Sequence, residues 1–596
     1  MKVVRIGGAS AFMVDSITAA AQLLTADPVP DYLIFDFMAE GTIGMMARSR
    51  QAGQGGYAND IITFHIGPNL PQIVASKVKI IANAGGMNPK GCAEAIEAML
   101  KERGVTLKVG YVEGDDILAR EADLRAAGTC EMFSGEVFPE KVDSINVYLG
   151  AFPIAQALAE GADIVITGRC ADSALALGPL IHEFDWGMED WDMLAAGTLV
   201  GHLIECGCQV SGGTFTDWDQ VPDWENIGYP LADVREDGSC VITKPDGTGG
   251  LVSVGTVAEQ LLYEVSDPQA YIVPDVVCDF AAVKLEQIGQ NRVAVSGARG
   301  YPATDSYKGV ASYDIGWRAT FAQIIIGMDA VAKAERQATA IIERGRRLLR
   351  GSNFGEFTRT DYDMIGAGSS YAPGRQARDV REVYMRASVD HKERQPTELF
   401  MREAFATMSA MAPGTSATIS TSVTAITKLF LFLTPKRGIP VSVTVDGVAS
   451  PATHHEGRRF DASSLVRPAN PAATPGNVSD EAMVEVPLIQ LAWARSGDKG
   501  NLFNVAVIAR KAEFLAYIRA ALSAERVADC YAHLVPEGSK PRVDAYDVPG
   551  FSAINFVVHD SLDGGLLVSP RADSAAKGMA QQLLELPVMV PAALAG

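Results

Sequence analysis

Short apolar strands that end in glycine or polar residues and lead into helices constrain the fold of this chain most strongly. The clearest example is Ala162 to Ala174, ADIVITGRCADSA, in which Ile164 to Ile166 are β-branched and Gly168 ends the run. Similar runs lie at Val3 to Ile6, Tyr32 to Phe37, Val78 to Ala82 and Lys108 to Val112. Because strands and helical periodicity alternate, the sequence predicts a large α/β region with a mainly parallel, Rossmann-like sheet.

Polar side chains follow the 164–166 strand at once. Arg169, Asp172 and Ser173 come within seven residues of Ile166. In open α/β sheets ligands bind beyond the carboxyl ends of the strands, so these three residues are candidates for a functional site. An ion pair between Arg169 and Asp172 that only fixes the turn is the alternative, and the sequence leaves both interpretations open.

A glycine-rich turn, NAGGMNPKG, follows the strand at Val78 to Ala82. Its two glycines allow close backbone approach, and its lysine lies near the start of the next helix, a combination that suits a phosphate or carboxylate. The candidate ligand-binding residues of this turn are Asn83, Gly85, Gly86, Asn88 and Lys90. A tight turn with a solvated lysine is the alternative.

His202 and Glu205 are three residues apart, so on a helix they share a face and form a candidate acid/base pair. Cys206 and Cys208 lie close by and raise the question of a metal. Zinc sites usually take C-x-x-C or H-x-x-x-H pairs, and neither pattern occurs here. We therefore predict no metal site.

The later part of the chain predicts a change of domain. Trp317 to Leu349 has the periodicity of a long helix, and residues 464–483 have the Pro/Ala-rich composition of a linker. We therefore expect an α/β domain over residues 1–463, with a division into two subdomains as an alternative. The pattern of strands and helices over residues 484–596 predicts a small α+β domain of ferredoxin-like type. Its polar loop, Arg495 to Asn501, adds three candidate ligand-binding residues: Asp498, Lys499 and Asn501.

Composition limits the partners. The chain has 596 residues with 51 basic and 72 acidic side chains, and a net charge of −21 makes nucleic acid an unfavourable partner. No apolar window approaches the roughly 20 residues of a membrane-spanning helix, and the N-terminal MKVVRIGGASAF is a poor signal peptide. The eight cysteines contain no C-x-x-C pair and are expected to be reduced. We expect a cytoplasmic protein without a membrane partner, and a homo-oligomer because symmetric oligomers are common.

Seven motifs along the chain carry a family resemblance: GGASAF, NAGGMNP, TGRCADSAL, ECGCQVSGGTF, KPDGTGGLVS, EQLLYEVSDPQAYIVPDV and RSGDKGNLFNV. Together they resemble the acyclic terpene utilisation family of AtuA type over nearly the whole chain. The resemblance implies a large N-terminal domain and, from about residue 484, the ferredoxin-fold domain often fused to it.

The resemblance also implies breakdown of branched or terpene-derived acyl chains as CoA thioesters. The leading hypothesis is an acyl-CoA hydratase or related lyase with Asp172 and Glu205 as acid and base and Arg169 orienting the substrate. Coenzyme A enters as part of the substrate, and no other cofactor is firmly implied. Lys90 or Lys499 would neutralise CoA phosphates, and Gly85 and Gly86 would supply N–H donors. A non-catalytic acyl-CoA-binding or scaffold subunit and an ATP-using enzyme remain alternatives.

Overall fold

The computed structural model describes residues 2–468 and 482–595, and the predicted linker lies largely outside them, at residues 469–481. The strands before the linker are β1 (Val3–Gly8), β2 (Tyr32–Phe35), β3 (Lys79–Ala82), β4 (Val109–Glu113), β5 (Ser144–Val147), β6 (Ile164–Thr167), β7 (Leu231–Arg235), β8 (Cys240–Thr243), β9 (Tyr271–Val273), β10 (Val276–Asp279), β11 (Lys284–Gly289), β12 (Arg292–Ser296), β13 (Arg299–Tyr301), β14 (Ser306–Ile326), β15 (Arg359–Ile365), β16 (Glu382–His391), β17 (Thr415–Pro435), β18 (Ser442–Val445) and β19 (Val448–Pro451). Those after it are β20 (Met483–Pro487), β21 (Ala492–Lys499), β22 (Leu502–Ala509), β23 (Val543–Val548), β24 (Ala553–Val558) and β25 (Pro587–Pro591).

The α-helices before the linker are α1 (Ala19–Leu23), α2 (Glu40–Gln51), α3 (Gly67–Ser76), α4 (Pro89–Glu102), α5 (Glu121–Ala126), α6 (Phe152–Ala159), α7 (Ala174–Phe184), α8 (Trp191–Ile204), α9 (Val254–Leu262), α10 (Ala330–Arg350), α11 (Arg394–Ala404) and α12 (Thr407–Ala410). Those after it are α13 (Leu515–Ala521), α14 (Ala524–Cys530) and α15 (Met579–Leu584). None of the helices in the described part of the chain has both the length and the apolar composition that crossing a bilayer requires.

An eleven-stranded mixed sheet forms the centre of the larger domain, in the order β11-β12-β8-β7-β1-β2-β3-β6-β4-β18-β19. Its five central strands, β1-β2-β3-β6-β4, pair in parallel. Apolar side chains cover both faces of this centre: Val165 of β6 joins one core cluster, and Ile164 and Ile166 join the other. Burial on both faces explains why these strands are continuous apolar runs.

The expectation of a mainly parallel sheet holds only for those central strands, because the flanking strands pair antiparallel. Several of the flanking strands are joined by turns too short for a crossover helix. Asp446 and Gly447, for example, connect β18 to β19 with positive φ angles of 53° and 76°, as a two-residue hairpin turn requires. The observed fold is a mixed α/β sheet rather than a purely parallel one.

A second sheet, in the order β15-β16-β14-β17, contains the segment in which the sequence predicts a helix from Trp317. That prediction is wrong for residues 317–326, which belong to the 21-residue strand β14, while helix α10 begins only at Ala330. The run is rich in β-branched and aromatic residues, among them Thr320, Phe321 and Ile324. Pairing of β14 with both β16 and β17 outweighs the apolar periodicity of the segment.

The C-terminal domain contains an antiparallel four-stranded sheet, β21-β22-β24-β23, whose two faces have different partners. Val505 and Val507 of β22 pack into the core of this domain. Ala506 and Ile508, which alternate with them, are part of the main core of the larger domain. The main core of the larger domain therefore extends onto one face of the C-terminal sheet, and the two domains share that core. The predicted polar loop at Arg495 to Asn501 is largely the end of β21, and the hairpin turns between Lys499 and Leu502.

Glu259 of α9 is a buried carboxyl at the junction of the two domains. The Thr216 hydroxyl lies 2.5 Å from its Oε1 and 3.1 Å from the carbonyl oxygen of Ala494 in the C-terminal domain. Burial raises the pKa of Glu259 to about 8. The carboxyl is therefore largely protonated at neutral pH in the folded protein.

We predict that Glu259 makes stability fall as pH rises through the neutral range. Between its ordinary pKa of 4.5 and about 8, the folded chain binds a proton that the unfolded chain lacks. The stabilising contribution is complete below the lower value and is lost as pH rises through the higher one. Glu259→Gln, which stays neutral, is expected to flatten this slope when unfolding in urea is followed from about pH 5 to about pH 9. An unchanged slope would contradict the assignment.

Candidate functional site

The carboxyl ends of the central parallel strands bring a set of polar side chains to one edge of the sheet. Asp36 follows β2, Asn83 follows β3, and Arg169 and Asp172 follow β6. Asn83 Nδ2 donates to Asp36 Oδ1 at 2.7 Å, and its Oδ1 accepts from the Phe37 N–H at 2.6 Å. This edge is where open α/β sheets bind ligands.

Arg169 is the central cation of this edge and is only 2% exposed. Its Nη1 lies 2.7 Å from Asp172 Oδ1 and also donates to the Met38 carbonyl oxygen. The guanidinium carbon lies 4.1 Å from the centroid of the Tyr148 ring. Burial alone would lower the pKa of Arg169, but the charges of Asp172, Tyr148 and Asp36 raise it well above its ordinary value. Arg169 thus stays charged in a buried position.

Asp115, which follows β4, fixes the backbone that carries Arg169. Its Oδ2 accepts from the Arg169 N–H and from Asn146 Nδ2, each at 2.8 Å. A Cβ atom on Gly168 would lie 2.3 Å from Asp115 Oδ1, so only glycine allows this approach. Burial raises the pKa of Asp115 to about 6.

His202 and Glu205, at the end of α8, form the second part of the site. His202 is 2% exposed, and burial lowers its pKa to about 4, so the ring is neutral. Its Nε2 lies 3.0 Å from the Leu261 carbonyl oxygen, which can only accept. Nε2 therefore carries the proton and Nδ1 is an acceptor. Glu205 Oε1 lies 3.4 Å from that Nδ1.

Glu205 is held as a neutral acid by its surroundings. Burial, followed by the charge of Asp172, raises the pKa of Glu205 well above its ordinary value, although Lys499 acts in the opposite direction. A protonated Oε1 is also the form that can donate to the neutral His202. Glu205 Oε2 is buried and makes no hydrogen bond to any described residue. The site therefore combines a protonated carboxyl, Glu205, with an ion-paired one, Asp172.

The C-terminal domain contributes charged groups to the same site. Lys499 Nζ lies 3.8 Å from Glu264 Oε2, and Lys577 Nζ lies 3.2 Å from both Glu264 Oε1 and Asp498 Oδ1. Burial opposes ionisation of Glu264, but Lys499 and Lys577 outweigh it and lower its pKa. Burial raises the pKa of Asp498 to about 6, against the charge of Lys577.

The charged side chains of this site are partly exposed to solvent. The side chains of Asp172, Glu264, Lys499 and Lys577 are 33%, 31%, 32% and 46% exposed, whereas that of Glu205 is 10% exposed. We call these part-exposed charged groups of both domains the rim of the site, in contrast to the buried neutral acid. Among the described residues, no group of three His, Cys, Asp or Glu side chains is arranged to hold a metal ion.

The structure brings together the three candidate catalytic residues, Arg169, Asp172 and Glu205, and two of the candidate ligand-binding residues, Asp498 and Lys499. Asn83 joins them through Asp36. Ser173, 1% exposed, precedes α7 and packs its backbone against Gly201, where a Cβ atom would lie 2.5 Å from the Ser173 carbonyl oxygen. Asn501 lies in the hairpin turn, where its Oδ1 accepts from the Gly564 N–H at 2.9 Å.

The glycine-rich turn at residues 83–90 is occupied by contacts within the protein. The N–H groups of Gly85 and Gly86 donate to the carbonyl oxygens of Thr167 and Asn83 at 3.0 and 3.3 Å. Asn88 caps α4 by accepting from the Gly91 N–H at 3.0 Å. Lys90 is exposed on α4, 3.9 Å from Glu94. An anion could bind these N–H groups only if their present hydrogen bonds were broken. Ligand binding by this turn therefore stays a prediction.

Sequence reasoning missed Asp36, Glu264, Tyr263 and Lys577. Asp36 could have been identified from the sequence, since its carboxylate directly follows the apolar run of β2. Lys577 could not have been identified in this way. Its Nζ contacts the Tyr263 hydroxyl, but the two residues are more than 300 positions apart and meet only through domain packing.

Two family models match the chain. The first, described as acyclic terpene utilisation family protein AtuA, matches residues 4–445 of the 596. The chain belongs to the acyclic terpene utilisation family. The second model, the AtuA ferredoxin-like domain, matches residues 486–589. Searches of the curated proteins and of the solved structures found no significant match.

The site of this AtuA-family chain draws on both matched regions. Arg169, Asp172 and Glu205 lie in the AtuA region, whereas Lys499 and Lys577 lie in the ferredoxin-like region. Membership of the family does not specify a reaction, because one fold can support many chemistries.

Proposed function

We propose that the chain is an acyl-CoA hydratase or related lyase that acts on a branched or terpene-derived thioester at the junction of its two domains. The observation that carries the proposal is the presence in one site of two carboxyls in different environments. Glu205 is buried beside neutral His202 with one oxygen unpartnered among the described residues, and Asp172 is ion-paired with Arg169 and part-exposed. Two carboxyls in different environments are the usual sign of an acid and a base that act together.

In the proposed reaction the carboxylate of Asp172 takes a proton from water while the water oxygen adds to Cβ of an enoyl thioester. The carboxyl of Glu205 donates its proton to Cα, so the elements of one water molecule are added across the double bond. Asp172 then releases its proton to solvent and Glu205 takes one up, which restores both carboxyls for the next cycle. Dehydration is the reverse sequence. Each such proton transfer contributes about 10²- to 10⁴-fold to the rate.

Arg169 is the proposed stabiliser of negative charge on the thioester oxygen. Its Nε makes no hydrogen bond to any described residue, although the side chain is buried. A preorganised donor in a site with little water contributes about 10²- to 10³-fold to the rate. At the exposed rim, Lys499 and Lys577 are the proposed contacts for the anionic part of coenzyme A.

The test is incubation of the purified chain with branched enoyl-CoA and 3-hydroxyacyl-CoA esters, followed by mass spectrometry. Gain or loss of the mass of one water molecule is the expected result. Thermal unfolding with free CoA, the esters, ATP and divalent metals accompanies it, because a ligand at about 100 times its dissociation constant stabilises the native state by about 2.7 kcal/mol.

The remaining outcomes separate the alternatives. Stabilisation by an acyl-CoA whose mass does not change would favour a non-catalytic binding or scaffold subunit over a hydratase. A shift with ATP alone would favour an ATP-using enzyme. No shift with any CoA ester would overturn the acyl-CoA assignment.

A further inference from the structure

We propose, resting on the function proposed above, that Asn504 and Asn555 of the ferredoxin-like domain are positioning residues that hold Glu264 at the acid/base site. The two asparagines lie on neighbouring strands, β22 and β24, and are 2% and 0% exposed. Asn504 Nδ2 donates to Asn555 Oδ1 at 2.8 Å, so the two amides form one unit. This unit lies on the sheet face that packs against the larger domain.

The asparagine pair binds the turn that follows α9. Asn504 Nδ2 donates to the Leu262 carbonyl oxygen at 2.7 Å. Asn555 Nδ2 lies 2.8 Å from the carbonyl oxygens of both Val265 and Ser266. The bonds thus flank Glu264 on its two sides in the chain. Because these carbonyl groups lie at a buried domain junction, each needs a donor, and the C-terminal domain supplies it.

Glu264 has a backbone conformation that needs such support. Its φ angle is 58°, in the left-handed region that non-glycine residues rarely adopt. Strained conformations of this kind persist where the surroundings determine them, and they cluster at functional sites. Gly497 of β21 allows the close approach, since a Cβ atom there would lie 2.6 Å from Tyr263 Cε2 and 2.7 Å from Glu264 Cγ.

The position of Glu264 matters because its charge acts on Glu205. Its carboxylate raises the pKa of Glu205, as do burial and Asp172, whereas Lys499 and Arg169 lower it. The other titratable groups around Glu205 are its helix neighbour His202 and the side chains of Asp36, Cys206 and Tyr271. A loosened turn would move the Glu264 charge away and admit water. Both changes favour ionisation of Glu205.

The experiment is a titration of Glu205 in the full chain by infrared difference spectroscopy. The carbonyl band of its protonated carboxyl is assigned as the band that Glu205→Gln removes. Asn555→Leu and Asn504→Leu keep four side-chain heavy atoms with the branch at Cγ but cannot donate, and each is expected to lower the pKa of Glu205 by about one unit. Glu264→Gln is the reference variant, because it removes the charge itself. It is also expected to lower the pKa of Glu205.

Asp217→Asn is the matched interface control. Asp217 accepts from Trp493 Nε1 at 2.8 Å and from Arg510 Nη1 at 2.6 Å, also across the domain junction. Trp493 and Lys499 are six residues apart on β21, which is about 20 Å along a strand. Asp217→Asn is therefore expected to weaken the junction without moving the titration of Glu205.

The positioning role would be overturned by a folded Asn555→Leu variant in which Glu205 has the same pKa as in the wild-type chain. If both leucine variants fail to fold, Asn555→Ala and Asn504→Ala decide, because they remove the same donors without adding bulk: a lowered pKa of Glu205 supports the role and an unchanged one overturns it. The titration needs no substrate. A wild-type chain that turns over no acyl-CoA would therefore remove the proposed function and leave the positioning role standing.

Discussion

Glu205→Gln is expected to lower the turnover of an acyl-CoA substrate by about 10²- to 10⁴-fold while the fold is retained. Glutamine has nearly the same shape, and the position is buried, so the packing at the end of α8 is preserved. The glutamine amide carries no acidic proton to donate to Cα. Steady-state rates, compared with thermal unfolding of the same preparation, separate loss of chemistry from loss of structure.

The pH dependence of the wild-type rate checks the same assignment. In the proposed reaction Glu205 acts in its protonated form, and burial together with Asp172 raises its pKa. Activity is therefore expected to be lost as pH rises through this raised pKa, and not near the ordinary pKa of a glutamate. Glu225→Gln, at an exposed glutamate, is the matched control and should keep the wild-type rate. Full activity in Glu205→Gln would exclude Glu205 as the acid.

Asp172→Asn is expected to cause a loss of the same order, about 10²- to 10⁴-fold, because an amide cannot take the proton from water. The asparagine oxygen can still accept from Arg169, so the turn after β6 is expected to stay folded. The variant has a second effect, since Asp172 raises the pKa of both Glu205 and Asp36. Removing its charge should lower both pKa values and move the remaining activity to lower pH.

Asp219→Asn, at an exposed aspartate, serves as the control for the Asp172 substitution. Both variants should remain folded, and only Asp172→Asn should lose turnover. Wild-type turnover in Asp172→Asn would remove Asp172 from the mechanism and leave the ion pair with Arg169 as a structural feature of the turn.

The fold was predictable where local pattern and tertiary environment agree. The β-branched run of β6, buried on both faces, is a strand in sequence and in structure. At Trp317 to Ile326 the same kind of reasoning failed, because the pairing of β14 on two sides depends on segments about 70 and 100 residues further along the chain. The antiparallel flanking strands of the large sheet were not predicted for a similar reason, although Asp446 and Gly447 are residues typical of a hairpin turn.

The site was predictable to the extent that strand ends define it. Arg169 and Asp172 follow a recognisable strand, and the spacing of His202 and Glu205 placed them on one helix face. The contributions of Glu264 and Lys577 were not predictable, because they meet only when the ferredoxin-like domain packs against the turn after α9. A single sequence contains no record of which distant segments share a junction.

The shared apolar core also limits how a ligand exchanges with this site. Ala506 and Ile508 of the ferredoxin-like sheet are buried among residues of the AtuA region, so swinging the domains apart would expose them to water. Entry is therefore expected to depend on the half-exposed Lys577 and its neighbours at the rim. Such side chains change rotamer within picoseconds to nanoseconds, whereas domain hinges take microseconds to milliseconds. For the proposed reaction we therefore expect the fast motion of a few charged side chains, and not a domain hinge, to control access to Glu205.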